Sequence, residues 1–266
     1  MDIIWAQVPA AALSRLGAAM RCFRQSVVLA LAASTTRGLT TRTSVRLHAM
    51  VAGVSPPVTS HLSLVPQLLS QTLKPGDMVV DATAGNGYDT LALARLVLGG
   101  GGRVVSMDVQ QCALKATEAR LLQEFTQEEV ASGVTFIEGN HRDFSRLDEL
   151  TGPGQRVKAF IYNLGYLPGS DKSVATSKED TIDSLKQAAQ RTSLGGLVCV
   201  TCYRGHEGGL EETNKVREEL SSWEQAEWRV CETTPLNWPV SPILMTAHRF
   251  EEPRRRLPKK NSLNPR

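Results

Sequence analysis

One segment constrains this chain more than any other: Val79-Val80-Asp81-Ala82-Thr83-Ala84-Gly85-Asn86-Gly87-Tyr88-Asp89-Thr90. It opens as an apolar strand, turns through two glycines and runs straight into a helix. Free backbone N–H groups therefore gather at the end of a sheet, where a ligand can sit. Only glycine lets the backbone turn this tightly and lets a nucleoside approach it, which gives Gly85 and Gly87 a steric reason to be there. Thr83 and Asn86 share the turn, and Thr90 falls in the first turn of the helix. A glycine turn of this kind also occurs as plain structure, so its context must decide.

The context is an alternation of short β-branched runs with helical segments from Ser60 onward, the pattern of an α/β protein with a mostly parallel sheet. Strands are expected at Met78 to Ala82, Arg103 to Asp108, Val134 to Glu138, Arg156 to Asn163 and Leu197 to Tyr203. Glu227 to Thr233 and Ile243 to Phe250 add a terminal antiparallel pair, giving a seven-stranded, Rossmann-like sheet. Helices are expected at Leu64 to Leu73, Asp89 to Leu98, Gln110 to Glu129, Lys178 to Thr192 and Leu210 to Trp223.

Asp108 ends the second strand, 27 residues after Asp81, which sets its carboxylate beside the glycine turn. A carboxylate there can take both ribose hydroxyls of a nucleoside. It can equally cap the following helix. At the end of the third strand, Asn140 and His141 can face an adenine edge or form an ordinary loop. Two cofactor classes suit a strand, a glycine turn and a distal acid: nicotinamide dinucleotides and S-adenosylmethionine. The turn lacks the third glycine of a dinucleotide fingerprint, and Asp89 would repel a pyrophosphate. Asp81 and Asp89 suit instead a ligand with a cationic amino-acid portion and a sulfonium, as S-adenosylmethionine has.

Charge divides the chain into three. Residues 1–58 hold six arginines, no lysine and one acid, with no Asp or Glu between Ile3 and Gly76. That composition, rich in Ala, Ser and Thr, is expected of an organelle transit peptide for chloroplast or mitochondrion; a disordered extension without an address is the other reading. Residues 59–250 carry 18 basic and 24 acidic groups, so this body cannot hold a polyanion through bulk field. Residues 251–266 form a basic tail with six basic and two acidic groups. The longest apolar run, Ser26 to Thr35, is too short to span a membrane. Five cysteines, an odd and scattered set, do not describe a disulfide scaffold. Aromatics at 5% do not supply a row of stacking platforms.

Four ordered motifs carry a resemblance. Asp81-Ala-Thr-Ala-Gly-Asn-Gly-Tyr-Asp-Thr90, Asn163-Leu-Gly-Tyr-Leu-Pro-Gly-Ser-Asp-Lys172, Tyr203-Arg-Gly-His-Glu-Gly-Gly209 and Asn237-Trp-Pro239 together resemble the YtqB-like, MnmM-type family once labelled rRNA methylases. The likeness spans Ser60 to Phe250. It implies a class I S-adenosylmethionine-dependent fold. It also implies methylation of the aminomethyl group of 5-aminomethyl-2-thiouridine at tRNA position 34, with the anticodon stem-loop as partner. The long N-terminal arm and the basic tail depart from the compact bacterial pattern.

The residues support that chemistry beside the resemblance. Asn163-Leu164-Gly165-Tyr166 follows the fourth strand with the spacing of the Asn-Pro-Pro-Tyr element of amine methyltransferases, although the prolines are absent. In that element a carboxamide oxygen accepts a hydrogen bond from the target amine. An alkylamine has a pKa of roughly 10, so an acceptor and partial desolvation are needed to present it neutral and aimed. Asn163 would aim rather than deprotonate. Tyr166 suits packing against a uracil ring or capping the sheet. His206 is a second proton acceptor or a structural histidine. Arg142, Lys172, Arg204 and the tail cations Arg254 to Arg256, Lys259 and Lys260 are available to RNA, and a splayed loop base is the expected target.

Cys199 and Cys202 invite a metal reading, but residues three apart on a strand point to opposite faces and no second pair exists, so no metal is expected. The sequence allows a homodimer without specifying one. A methyltransferase of the same fold acting on rRNA, a small molecule or a protein is the alternative, and a non-catalytic binding module a third reading.

Overall fold

The structure, a computed structural model, describes residues 61–151, 156–165, 177–205, 208–238 and 241–252. The sheet is built from β1 (Met78–Asp81), β2 (Arg103–Asp108), β3 (Val134–Glu138), β4 (Val157–Leu164), β5 (Thr192–Cys202), β6 (Trp228–Thr233) and β7 (Ile243–Arg249). Its spatial order is β3-β2-β1-β4-β5-β7-β6. The first five strands run parallel, and β7 is antiparallel to both β5 and β6. The expected seven-stranded, mostly parallel sheet is thus observed, with the class I order of strands.

Helices α1 (His61–Thr72), α2 (Tyr88–Val97), α3 (Gln111–Leu121) and α4 (Gln127–Gly133) precede α5 (Ser145–Thr151), α6 (Lys178–Arg191) and α7 (Gly209–Ser222). A parallel sheet covered on both faces needs strands that are apolar throughout, and all four residues of β1 are buried. Alternation along each strand then feeds two separate cores. Val79, Ala159 and Cys199 pack with Leu69, Leu93 and Leu121, while Val80, Phe160 and Cys202 pack with Phe144, Leu185 and Leu220. Cys199 and Cys202 therefore lie on opposite faces, and burial raises both thiols to about 12.

Two local expectations are corrected, and one helix is added. The single helix expected over Gln110 to Glu129 is two, α3 and α4. The break is fixed by a capping box: Thr126 Oγ1 accepts from the Glu129 N–H at 3.2 Å, and Glu129 Oε2 accepts from the Thr126 N–H at 2.8 Å. Strand β5 starts at Thr192, five residues early, because Thr192 pairs with Val157 across a register irregularity. Helix α5 was not anticipated.

The order of strands reverses direction of winding between β1 and β4, which makes their carboxyl ends the topological switch point. Ligands of open α/β sheets bind there. Register sets Asp81 opposite Ile161, so Asn163 lies two residues further toward the same edge.

Candidate active site

The glycine turn after β1 is tied to three neighbours at once. The Asn163 N–H donates to Thr83 Oγ1 at 2.7 Å, holding the turn to β4. The Gly85 N–H donates to Asp108 Oδ2 at 2.9 Å, holding it to β2. From α3, Arg120 Nε donates to the Asn86 carbonyl at 2.6 Å, and its guanidinium lies 3.6 Å from the Tyr88 ring centre. Arg120 was not singled out from sequence. It lies 34 residues from Asn86, and only its helical spacing from Thr117 marks it as sharing a face with the turn.

The glycines are required by contact and by conformation. Gly85 and Gly87 have φ of 54° and 77°. A Cβ on Gly87 would lie 2.6 Å from the Thr117 Cα, so α3 packs directly on the bare backbone.

Asp81, expected to face a cationic group, is held under the glycine turn by hydrogen bonds within the protein. It is wholly buried beneath the turn. Its carboxylate accepts from Thr90 Oγ1 at 2.6 Å and from the Thr83 N–H at 3.2 Å. Thr90 is likewise buried, 3.0 Å from Ser106 Oγ, and braces β1 against β2. Burial, then the neighbouring Asp89 charge, pushes the Asp81 carboxyl up to about 7 against the two hydrogen bonds that oppose the shift.

Asp108 is half-buried, and each of its oxygens accepts one backbone N–H: Oδ2 from Gly85 and Oδ1 from Gln110 at 2.9 Å. A carboxylate has roughly four lone-pair sites, so both oxygens retain acceptor capacity for ribose hydroxyls. Burial raises its pKa, and the two N–H groups hold it down. The structure thus gives Asp108 a turn-closing bond from Gly85 and a bond from Gln110 at the start of α3.

At the end of β4, Asn163 Nδ2 donates to Asp89 Oδ2 at 2.5 Å. Asp89 sits in the first turn of α2, the helix that the glycine turn opens. With the amide nitrogen held by a carboxylate, the Asn163 oxygen is left as the acceptor of that side chain. Both residues are partly exposed at the switch point.

The residues after β3 form a loop tied to α6. Asn140 is used at both ends of its amide: Nδ2 donates to Asp180 Oδ2 at 2.6 Å, and Oδ1 accepts from the Arg142 N–H at 2.9 Å. Arg142 also pairs with Asp180 at 2.8 Å, so the loop is fastened to the start of α6. His141 is buried, with Nε2 3.5 Å from Thr181 Oγ1 and its ring edge-on to Tyr162. Burial lowers its pKa to about 4 against the pull of Asp180. The ring is thus packed under α6, at the end of β3 where an adenine contact or a plain loop was expected.

Tyr166, Asp171, Lys172 and His206 lie outside the described residues, as do the N-terminal arm and the tail cations. Among the described residues no group of three or more His, Cys, Asp or Glu is placed to hold a metal ion, and no helix is long and apolar enough to cross a membrane.

Comparison with known proteins adds a family and relatives. The family described as "Putative rRNA methylase" matches residues 104–249, from β2 to the end of β7. The chain is 36% identical over 179 residues to the chloroplastic tRNA (mnm(5)s(2)U34)-methyltransferase of Arabidopsis thaliana, spanning 66% of this chain and 64% of that relative's length. A structure described as a "putative rRNA-methylase" from Clostridium thermocellum aligns at 34% identity and TM-score 0.66, covering 73% of this chain and all of that one. A "putative methyltransferase" from Streptococcus mutans, solved with SAH, aligns at 28% identity and TM-score 0.61 over 74% of this chain and 99% of that one.

Proposed function

Because the chain belongs to the "Putative rRNA methylase" family, whose match covers more than half of it, we propose that it is an S-adenosylmethionine-dependent tRNA methyltransferase. Its acceptor is the exocyclic aminomethyl nitrogen of 5-aminomethyl-2-thiouridine at position 34. The name of the Arabidopsis relative supports the acceptor, and the SAH held by the Streptococcus mutans structure supports the cofactor. The observation that carries the reading is the Asn163 carboxamide at the switch point, its nitrogen held by Asp89 and its oxygen left to accept.

The residues over β1 and β2 fit an adenosyl group. The Asp108 oxygens retain acceptor sites for two ribose hydroxyls, and the partly exposed Gly85 adds backbone that carries no side chain. Asn86, with Thr83 and Asp89 beside it, would complete the binding edge. Asp81 and Thr90 act from below by fixing the turn. When bound, the cofactor supplies an electrophilic methyl group on a sulfonium.

The protein's own task is to aim a nitrogen. The Asn163 oxygen accepts one N–H of the amine, which fixes the direction of the lone pair. A carboxamide takes no proton in this range, so Asn163 orients without acting as a base.

An organellar site of action is part of the same proposal. It is supported by the chloroplastic name of the relative and by the arginine-rich, acid-poor first 58 residues.

The test is nucleoside mass spectrometry after incubating the purified chain with tRNA carrying the unmethylated aminomethyl group and isotopically labelled S-adenosylmethionine. One labelled methyl on the wobble nucleoside is the expected result. Label recovered in rRNA, a protein or a small molecule, with that nucleoside unchanged, overturns the choice of acceptor.

A further inference from the structure

The Leu236-Asn237-Trp238 turn between β6 and β7 takes no part in the site described above. Its apolar side chains nevertheless face water: Leu236 is 98% exposed and Trp238 54% exposed. Two large apolar side chains on one turn form a patch that gains free energy when a partner covers it. The turn is held in shape. The Ser241 N–H donates to the Trp238 carbonyl at 3.0 Å, and Arg204 Nη2 donates to the Ser241 carbonyl at 3.0 Å. Arg204 thereby ties the connection after β5 to the turn after β6.

Register places this turn on the reactive edge. Asn163 pairs with Thr201, Thr201 with Leu244, and Leu244 with Thr233, so one row crosses β4, β5, β7 and β6. Three strand spacings put Thr233 roughly 14 Å from Asn163. Residues 234–238 follow directly. Because β7 runs antiparallel, its turn with β6 leaves the sheet at the edge where β4 and β5 end.

The charge of the body selects the chemistry of the partner. With 18 basic and 24 acidic groups over residues 59–250, the surface gains little from a phosphate backbone. A base face stacks on an aromatic side chain without needing that field. We propose that Leu236 and Trp238 form a stacking surface for an unpaired base of the RNA loop whose neighbouring nucleotide is presented to Asn163. This rests on the functional reading above and adds to it the means by which the loop is held. A single tryptophan provides one platform, in keeping with an aromatic content of 5%.

The test compares the full chain with Trp238→Ala, Trp238→Phe and Leu236→Ala. It measures binding of a fluorescent anticodon stem-loop by anisotropy, binding of SAH by calorimetry, melting temperature and sedimentation. Trp238→Ala is expected to weaken RNA binding by about tenfold or more, Trp238→Phe by less than about threefold, with SAH affinity and melting temperature unchanged. In turnover assays the loss appears in KM for tRNA and leaves kcat in place. Equal RNA affinity for Trp238→Ala and the parent overturns the proposal. So does a parent dimer that Trp238→Ala converts to monomer at unchanged RNA affinity, which would make the patch an interface between copies. A parent that transfers no methyl group to tRNA overturns the functional reading instead, and the affinity ratio still decides the surface.

Discussion

Asn163 and Asp89 are 74 residues apart in the chain and meet at 2.5 Å, the amide nitrogen of one donating to the carboxylate of the other. The bond fixes which end of the carboxamide faces the switch point. Asn163→Ala is expected to lower kcat by about 100-fold or more, the loss typical of one oriented polar contact to a reacting group, with SAH affinity within about threefold. Asp89→Ala should cost about tenfold through misorientation, and Asp89→Asn should recover part of it because its oxygen still accepts from the amide. Single-turnover rates separate these outcomes. A full rate in Asn163→Ala would move the chemistry elsewhere.

Two buried groups tilt stability against pH in opposite senses. The Asp81 carboxyl is raised from 3.8 to about 7, so between those values the folded state keeps a proton that the unfolded state has released. Stability from this source falls as pH rises through that window. The His141 imidazole is lowered from 6.5 to about 4, so there the unfolded state binds a proton that the folded state refuses, and stability rises with pH. Over their overlap the two oppose each other. Urea unfolding at about pH 4, 5 and 6 should show a rising slope in Asp81→Asn and a falling one in His141→Gln, relative to the parent. Identical slopes in all three would remove both assignments.

Gly87→Ala should destabilise the protein by about 2–4 kcal/mol, combining a left-handed backbone with overpacking. The added Cβ would stand 2.6 Å from the Thr117 Cα at a φ of 77°. Denaturant midpoints check the number. A loss under about 0.5 kcal/mol would show that α3 can retreat from the turn at no cost.

Arg120→Ala should raise the dissociation constant of SAH several-fold, while kcat at saturating cofactor stays near that of the parent. The guanidinium holds the Asn86 carbonyl and covers Tyr88, so its removal loosens the turn without touching Asn163. Calorimetry reads the affinity. An unchanged constant would make the contact ornamental to binding.

Local chemistry was legible in the sequence wherever neighbours in the chain decide the outcome. β2 and β3 fall where their β-branched runs predict, residue for residue, and the strand, glycine turn and helix stand in the expected order. The break between α3 and α4 was also written in the chain, as Thr126 followed three residues later by Glu129, but the apolar period across it obscured the cap. Tertiary placement was not legible. That Asp81 turns inward depends on Thr90 and Ser106 closing over it. That His141 is a core residue depends on α6, whose Thr181 and Ser184 lie 40 and 43 positions further on. The Asn163–Asp89 bond joins two motifs whose separate readings gave no sign that they meet.

The reversal of β7 has a consequence for how such a chain can diversify. A hairpin added antiparallel to β5 must return its turn to the edge where the parallel strands finish, whereas a parallel strand would reach its place only through a crossover. The fold therefore supplies a segment at the same edge as the switch point, anchored by strands that do not include β1 or β4. Changes in that segment can alter what the edge meets while the glycine turn and the Asn163–Asp89 bond stay fixed.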